Sequence, residues 1–439
     1  MKYYQKIALI FGLAWGFIAV QRIVIAIIMP AIQEDLKFSF TDVGAIISIT
    51  GFVWAFGTII WAGIADHYGR RPIVVACTIL ASVFSWITGM LHTFGQLMLV
   101  RGVLGFFEGG PWGPAVATVA EETPPEKRGR WVSLIPAGFP LIGMGLGPLL
   151  AVWLMGAFHS WRAVFYTISI PGIILAIILG FTMRETPSMI EAKKRRRAGK
   201  AVYDAGGEKV RMVDVLKYKN VLVSTLVSVP VMAWLWIFSG FSALFLTKVH
   251  GFSMGAMGAV MGAAGIGTCL GNISLGSVSD SIGRKKAIII DGFLCFVLGL
   301  LVILMPKGTS VATFAVLFFF WGAFGGGHWP LYLGTLPSEA VPQQFAGTAV
   351  SVPAAVGEIL GAGVMPAIGG ALADKFNLYA PMWMACVAGL VVVFLSFMYV
   401  ETAPRVVERM KRKPTREDHL FGPFRGKEKT GGIDIPLSR

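Results

Sequence analysis

Arg22 stands in an apolar run from about residue 7 to residue 32, with Lys6 and Glu34 as its nearest charged neighbours in sequence. A guanidinium in hydrocarbon costs about 3 kcal/mol or more on insertion scales, so it must meet a carboxylate, a wet cavity or an anion. Arginine keeps its proton, and its planar fork matches a carboxylate in two-point fashion. The chemistry is therefore anion binding, or else a permanent ion pair with Glu108, which lies in another apolar run. Burial favours the neutral form of such a glutamate and a nearby arginine favours the charged form. Glu108 can thus pair with Arg22 when the site is empty and take a proton when an anion displaces it, or it can be a static partner. Glu358, set among Gly357, Gly361 and Gly363, is either a second protonation site or an interhelical hydrogen-bond donor. His328, beside Trp329, is a structural hydrogen bonder or a proton relay. Arg101 is also within an apolar run, where packing against the first helix is one role open to it. Gln21, Trp112, Tyr332, Trp329 and Asn272 are candidates for lining a cavity, with ordinary core packing as the competing role.

The elements that carry these residues follow from composition. Of 439 residues, 55% are hydrophobic and 14% charged, whereas a soluble protein carries about a quarter charged residues. Apolar runs of about 20 residues, the length that spans a bilayer as a helix, recur along the chain. They lack the alternation of barrel strands. Twelve spans are expected, at 7–32, 42–65, 72–92, 95–121, 131–156, 163–183, 220–247, 254–279, 287–306, 309–336, 346–372 and 378–400. Ser39 or Thr41 is placed to cap the second helix, and Ser253 the eighth.

The net charge of +14 is not a nucleic-acid footprint. Apart from Arg22 and Arg101, Lys and Arg concentrate in the N-terminus, the C-terminal tail and alternate loops; only Lys37, Arg162, Lys248, Lys307 and Lys375 fall in the opposite loops. This bias puts both termini in the cytoplasm of a cell-membrane protein. The four cysteines all fall in spans, with neither metal spacing nor a disulfide framework. The first span is too long for a signal-peptide core and is read as an uncleaved helix. Neither a nucleotide loop, a zinc-protease motif nor a nucleophile elbow is found, so an enzyme is not expected, and no cofactor or metal is implied.

The chain repeats itself. Gly63-Ile-Ala-Asp66-His-Tyr-Gly69-Arg70-Arg71 matches Gly276-Ser-Val-Ser-Asp280-Ser-Ile-Gly283-Arg284-Lys285, and the two Asp are 214 residues apart. Glu108-Gly-Gly-Pro-Trp112 resembles Gly325-Gly-Gly-His-Trp329, Gly143–Pro148 resembles Gly361–Pro366, and Arg184-Glu-Thr-Pro187 resembles Glu401-Thr-Ala-Pro404. Order and spacing are both kept. The expected division is a six-helix bundle at 1–184, a linker at 185–219, a second bundle at 220–404 and a basic tail at 405–439, polar enough to be disordered. The linker contains Lys193-Lys-Arg-Arg-Arg197 and an amphipathic stretch from Val210 to Tyr218, for lipid attachment or simply for topology.

These motifs resemble the major facilitator superfamily over residues 1–405. Gly276 to Lys285 matches the superfamily loop signature in full; in the first copy Ala62 holds the leading position and Gly63 follows. Leu99–Gly105 resembles the fourth-helix arginine motif and Gly138–Pro148 the fifth-helix Gly-Pro motif, though Ala151-Val152 replaces its last glycine pair. Within the superfamily the chain is most similar to the anion:cation symporters, through Arg22, Glu108 and the Glu-Thr-Pro endings. Many of those have Asp-Arg where this chain has Gln21-Arg22.

The resemblance implies an all-α fold of twelve helices in two parallel six-helix repeats, working as a monomer without cofactors. It implies a carrier for a small organic anion, such as a sugar acid or aromatic acid, coupled to protons by alternating access. Arg22, Gln21, Trp112, Tyr332 and Trp329 are the expected substrate contacts, and Glu108, Glu358, His328 and Arg101 the proton-coupling set. The loops holding Gly63, Asp66, Gly69, Arg70, Asp280, Gly283 and Arg284 are expected to gate. Their basic residues would pair with acids across the bundle or at helix ends, latching an outward-open state. One central arginine suits one carboxylate better than the two facing arginines of sugar-phosphate exchangers. A proton-coupled exporter of drugs or metabolites, or a sensor that binds without transport, are the alternatives.

Overall fold

The computed structural model describes residues 1–124, 127–197, 212–341 and 346–412. It is helical throughout, with no strand among the described residues. Among the described residues, eleven helices are long and apolar enough to cross a membrane. In chain order these are α1 (Tyr3–Ile27), α2 (Phe40–Tyr68), α3 (Arg70–Thr88), α5 (Arg130–Phe158), α6 (Trp161–Thr182), α7 (Lys219–Val249), α8 (Met254–Ile282), α9 (Arg284–Leu304), α10 (Val311–Glu339), α11 (Ala346–Lys375) and α12 (Tyr379–Ser396). The remaining expected span, α4, is broken into Phe94–Glu108 and Trp112–Glu122. The backbone stays in the helical region across the break, at Gly109 (φ −66°, ψ −26°) and Pro111 (φ −71°, ψ −25°).

Sequence chemistry fixes the helix ends. Ser39, not Thr41, caps α2: its Oγ accepts from the Asp42 backbone N–H at 3.0 Å, and Asp42 reaches back to the Ser39 N–H. Ser253 caps α8 through the Ala256 N–H at 3.3 Å. Gly69 and Gly283, between α2 and α3 and between α8 and α9, have φ of 112° and 106°, a region closed to side chains with a Cβ. All four cysteines are free and buried. The expected tail is ordered at its start, where Pro404–Arg412 forms a helix; 413–439 lie outside the described residues. In the linker Pro187–Arg197 is helical and Met212–Lys217 forms a 3-10 turn, with the Val210 end of the amphipathic stretch outside the described residues.

Packing repeats along the chain. α4 lies against α2 and α3, as α10 lies against α8 and α9, and α6 packs on α3 as α12 does on α9. Across the repeats, α2 meets α11, α5 meets α8 and α1 meets α7. π-helical turns occur at Phe139–Leu146 in α5 and, at the corresponding place, Gly357–Ala362 in α11; two more, at Phe245–Val249 in α7 and Leu331–Thr335 in α10, have no counterpart among the described residues.

The two ends of the bundle differ. At the end away from the termini, the Asp374 carboxylate of α11 accepts from the Phe40 N–H at 3.0 Å, the Thr41 N–H at 2.7 Å and the Thr41 hydroxyl at 2.6 Å. It thereby satisfies the free donors at the start of α2. Lys248 of α7 bonds Gln33, just past α1, at the same end. A Cβ on Gly370 would stand 2.2 Å from the Phe40 carbonyl oxygen, and one on Gly44 2.3 Å from that of Pro366. At the terminal end of the same crossing helices, Gly63, Gly276 and Gly347 have nothing within 4 Å of a Cβ position. The distal end is thus held by close backbone contact between α2 and α11.

A distal ion pair ties the segment after α1 to α6. Arg162 Nη1 lies 2.6 Å from Asp35 Oδ2, which also accepts from Trp161 Nε1 at 3.0 Å. The hydrogen bond from Arg162, then that from Trp161, holds the Asp35 carboxyl below the usual range. The folded value is the lower one, so the stabilisation is present above the unfolded value near about 4 and is lost as pH falls through the folded value. Because half-exposed pairs contribute less than about 1 kcal/mol, Asp35→Asn is expected to lower Tm by about 2 °C at pH 6. A melting difference that did not shrink as pH falls below about 4 would contradict this account.

Candidate functional site

Three ionisable side chains meet at the centre of the bundle. Arg22 of α1, Glu108 of α4 and Glu358 of α11 are 5%, 0% and 7% exposed. Arg22 Nη2 donates to Glu358 Oε2 at 3.0 Å, so its direct partner comes from the opposite repeat. Glu108, the partner expected from sequence, stands further off: its Oε2 is 4.0 Å from Arg22 Nε. Neither Glu108 oxygen has a hydrogen-bond partner among the described residues. One cation thus sits between two carboxylates, and only one of them is bonded to it.

The local irregularities place these groups. Glu108 is the last residue before the break in α4, and Glu358 falls in the π-helical turn of α11. Such turns occur where the regular backbone ladder is interrupted, often at functional positions. The break in α4 has its counterpart at Gly327-His328 in α10.

Aromatic rings cover the arginine. The Trp236 ring of α7 lies 4.1 Å from the guanidinium carbon and the Trp54 ring of α2 lies 5.2 Å from it, a cation–π arrangement. Phe139 bridges Trp236 at 6.4 Å and Trp329 at 5.8 Å between ring centres. A narrow space beside Arg22 is lined by Ile25, Thr50, Arg101, Trp236 and Ser239. The indole N–H groups of Trp54, Trp236 and Trp329 and the Ser239 hydroxyl have no protein partner among the described residues. These are donors and acceptors available to a polar cargo.

The other expected residues divide. Arg101 donates to the backbone carbonyls of Gln21 and Arg22, each at 3.0 Å, so it fixes α1 and the arginine it carries. Gln21 turns away, donating to Ser82 at 3.0 Å. Trp112 stacks on Trp15 at 4.7 Å in a separate apolar cluster and is not brought to Arg22. Tyr332 is fully buried, its ring 5.8 Å from that of His328, with a hydroxyl that has no partner among the described residues. Trp329 is half-buried, and Asn272 is partly buried with its carbonyl oxygen unpaired among the described residues. His328 Nδ1 contacts Asp291, an acid of α9 that the sequence reading passed over. Trp54 and Trp236 were passed over too; an aromatic in an apolar span gives no sign of facing a charge.

The repeated loops form one network twice. Arg70 Nη2 pairs with Glu121 at 2.8 Å, while the Glu185 carboxylate accepts from the backbone N–H of Arg70 and Arg71 at 3.1 and 3.0 Å. In the second copy Arg284 pairs with Glu339 at 3.2 Å and with Asp280 at 2.5 Å, and Glu401 accepts from the N–H of Arg284 and Lys285 at 2.8 and 3.2 Å. The Glu of each Glu-Thr-Pro-like ending therefore caps the helix that follows the signature loop. Every one of these contacts stays within its own repeat. The Asp66 side chain lies outside the described residues.

The fold is a multi-helix membrane bundle with a buried arginine where the two repeats meet. The chain matches the sequence profile of the Major Facilitator Superfamily over residues 8–359 and belongs to that superfamily, whose members are transporters rather than enzymes. It is 26% identical over 404 residues, 90% of either chain, to the "Probable 4-methylmuconolactone transporter" of Cupriavidus pinatubonensis. It is 28% identical over 270 residues, covering 61% of this chain and 62% of the relative, to the hexuronate transporter of Bacillus subtilis. Its fold is similar to that of a bacterial homologue of the human lysosomal transporter Spinster, with a TM-score of 0.72, 18% identity, and 91% of this chain and 96% of that chain covered.

Proposed function

We propose that the protein is a secondary active carrier of a small organic monoanion, bound through its carboxylate by Arg22 and moved together with protons. The observation that carries this reading is the Arg22–Glu358 hydrogen bond at 3.0 Å, an ion pair between the repeats with a second, unbonded carboxylate beside it. An entering carboxylate competes for the same guanidinium fork. It must displace Glu358, and a proton that neutralises Glu358 or Glu108 keeps the buried charge balanced. The relatives named for 4-methylmuconolactone and hexuronate agree with an organic-acid cargo. The rings of Trp54, Trp236, Phe139 and Trp329 favour a planar, partly apolar acid.

In this reading residues 1–184 and 220–404 are two six-helix units that rock about the central site. Both termini are cytoplasmic, so the closed distal end faces outside and the site opens inward. Gly370→Val is expected to keep the distal end from closing, because the added atoms meet the backbone at Phe40 and Thr41. Uptake should fall at least tenfold, and a cysteine placed at Ser239 should become reactive to an impermeant thiol reagent applied outside. Unchanged uptake would remove the distal contact from the transport cycle.

The direct test is uptake by purified protein in liposomes with an imposed proton gradient. Aromatic and sugar carboxylates are offered beside their neutral amides. Accumulation of at least one acid, stimulated by an inward proton gradient and absent for its amide, is expected. Equal uptake of acid and amide would sink the anion reading, and binding without uptake would make the protein a sensor.

A further inference from the structure

The second repeat contains a buried acid–base pair outside the Arg22 cluster. Asp291 of α9 and His328 of α10 are 1% and 2% exposed, and Asp291 Oδ2 contacts His328 Nδ1. A carboxylate accepts, so Nδ1 carries the hydrogen and donates. In the neutral ring Nε2 is then a bare nitrogen, and it has no hydrogen-bond partner among the described residues; nor has Asp291 Oδ1. A buried acceptor left unmade is costly unless it is used. A carboxylate on the opposite nitrogen orients the ring and compensates the charge when a second proton arrives.

The location ties this pair to the transport site. His328 lies in the break of α10, at the place where α4 breaks beside Glu108. Its ring is 5.8 Å from that of the fully buried Tyr332, and the turn Leu331–Thr335 that carries Tyr332 packs against α11, the helix of Glu358. Cys295, one turn further along α9, is buried as well. Among the described residues Tyr332 and Cys295 are the titratable groups placed beside the pair, and neither supplies a positive charge.

We propose that His328, held by Asp291, is a proton-binding site of the transport cycle. A proton adds to the Nε2 lone pair, giving an imidazolium paired with the Asp291 carboxylate, and leaves from the same nitrogen on the return half of the cycle. This rests on the proton-symport reading above and adds to it a site in the other repeat from Glu108.

The test compares wild type, Asp291→Asn and His328→Gln in liposomes by two assays: accumulation driven by a proton gradient, and counterflow exchange at equal pH. Both variants are expected to keep counterflow within twofold of wild type and to lose at least tenfold of the gradient-driven accumulation. In weak buffer they should take up one proton fewer per substrate bound. Asp291→Asn changes one oxygen for nitrogen and keeps an acceptor for Nδ1–H, so it carries the test alone if His328→Gln does not fold. Retained gradient-driven accumulation, or loss of counterflow in parallel with it, would overturn the proposal. A wild type indifferent to the gradient would instead overturn the symport reading on which it rests.

Discussion

Arg22→Gln is expected to abolish carboxylate transport while leaving a folded protein. The guanidinium is the only cation in contact with the two central carboxylates among the described residues. Removing one partner of a buried, hydrogen-bonded charge pair typically costs binding about 2–5 kcal/mol, which corresponds to a loss of about 1.5 to 3.5 orders of magnitude in affinity. The fold survives because Glu108 and Glu358, relieved of the arginine, can both take protons and remain neutral in the bundle. Arg22→Lys should not rescue, because an ammonium lacks both the two-point fork and the flat face that Trp236 covers at 4.1 Å. The measurement is a thermal shift with a panel of carboxylates, followed by uptake. A ligand that raises the wild-type Tm should leave the variant unmoved; a full shift in Arg22→Gln would place the anion site elsewhere.

The second large effect separates the two glutamates. Glu108→Gln should retain binding and counterflow but lose accumulation against a gradient at least tenfold, since its oxygens make no hydrogen bond among the described residues that the amide would disturb. Glu358→Gln should behave differently. It removes the group that competes for the Arg22 fork at 3.0 Å, so the anion is expected to bind up to about tenfold more tightly and to leave more slowly, about 1.4 kcal/mol in its favour. Turnover then falls because release is slow. The two variants therefore diverge in binding as well as in coupling. Identical behaviour of both would mean that the carboxylates act as one unit and that the difference in their geometry has no functional weight.

Much of the architecture was legible in the sequence. Span length and apolarity gave the helices, and motif offsets gave the repeat. Arg22 stood out because a guanidinium in an apolar run has few places to go. The interruption in α4 was hidden: Gly109-Gly110-Pro111 reads as small residues within a span. Glu358 was recognised, but not as the bonded partner of Arg22, because 336 residues separate them and no local period reports a contact between repeats. Asp291 was overlooked near the start of its span, where an acid resembles a flank. The signature loops were expected to pair with acids across the bundle or at helix ends, and their arginines meet Glu121 and Glu339, acids at helix ends inside their own repeats. The glutamates that cap α3 and α9 were seen only as matching endings, since a cap supplied by a distant segment leaves no local pattern.

The wide turns in α5 and α11 bear on descent. Phe139 and Gly357, where they begin, are 218 residues apart, the offset that also relates Gly143 to Gly361. A shared backbone irregularity in two diverged copies is most simply inherited from the single ancestral unit. The charged residues have no such pedigree. At that offset Glu358 corresponds to Pro140, and Glu108 corresponds to Gly325 in the matched motifs. The widened turns are thus common to the two halves, while the buried charges at the centre are not.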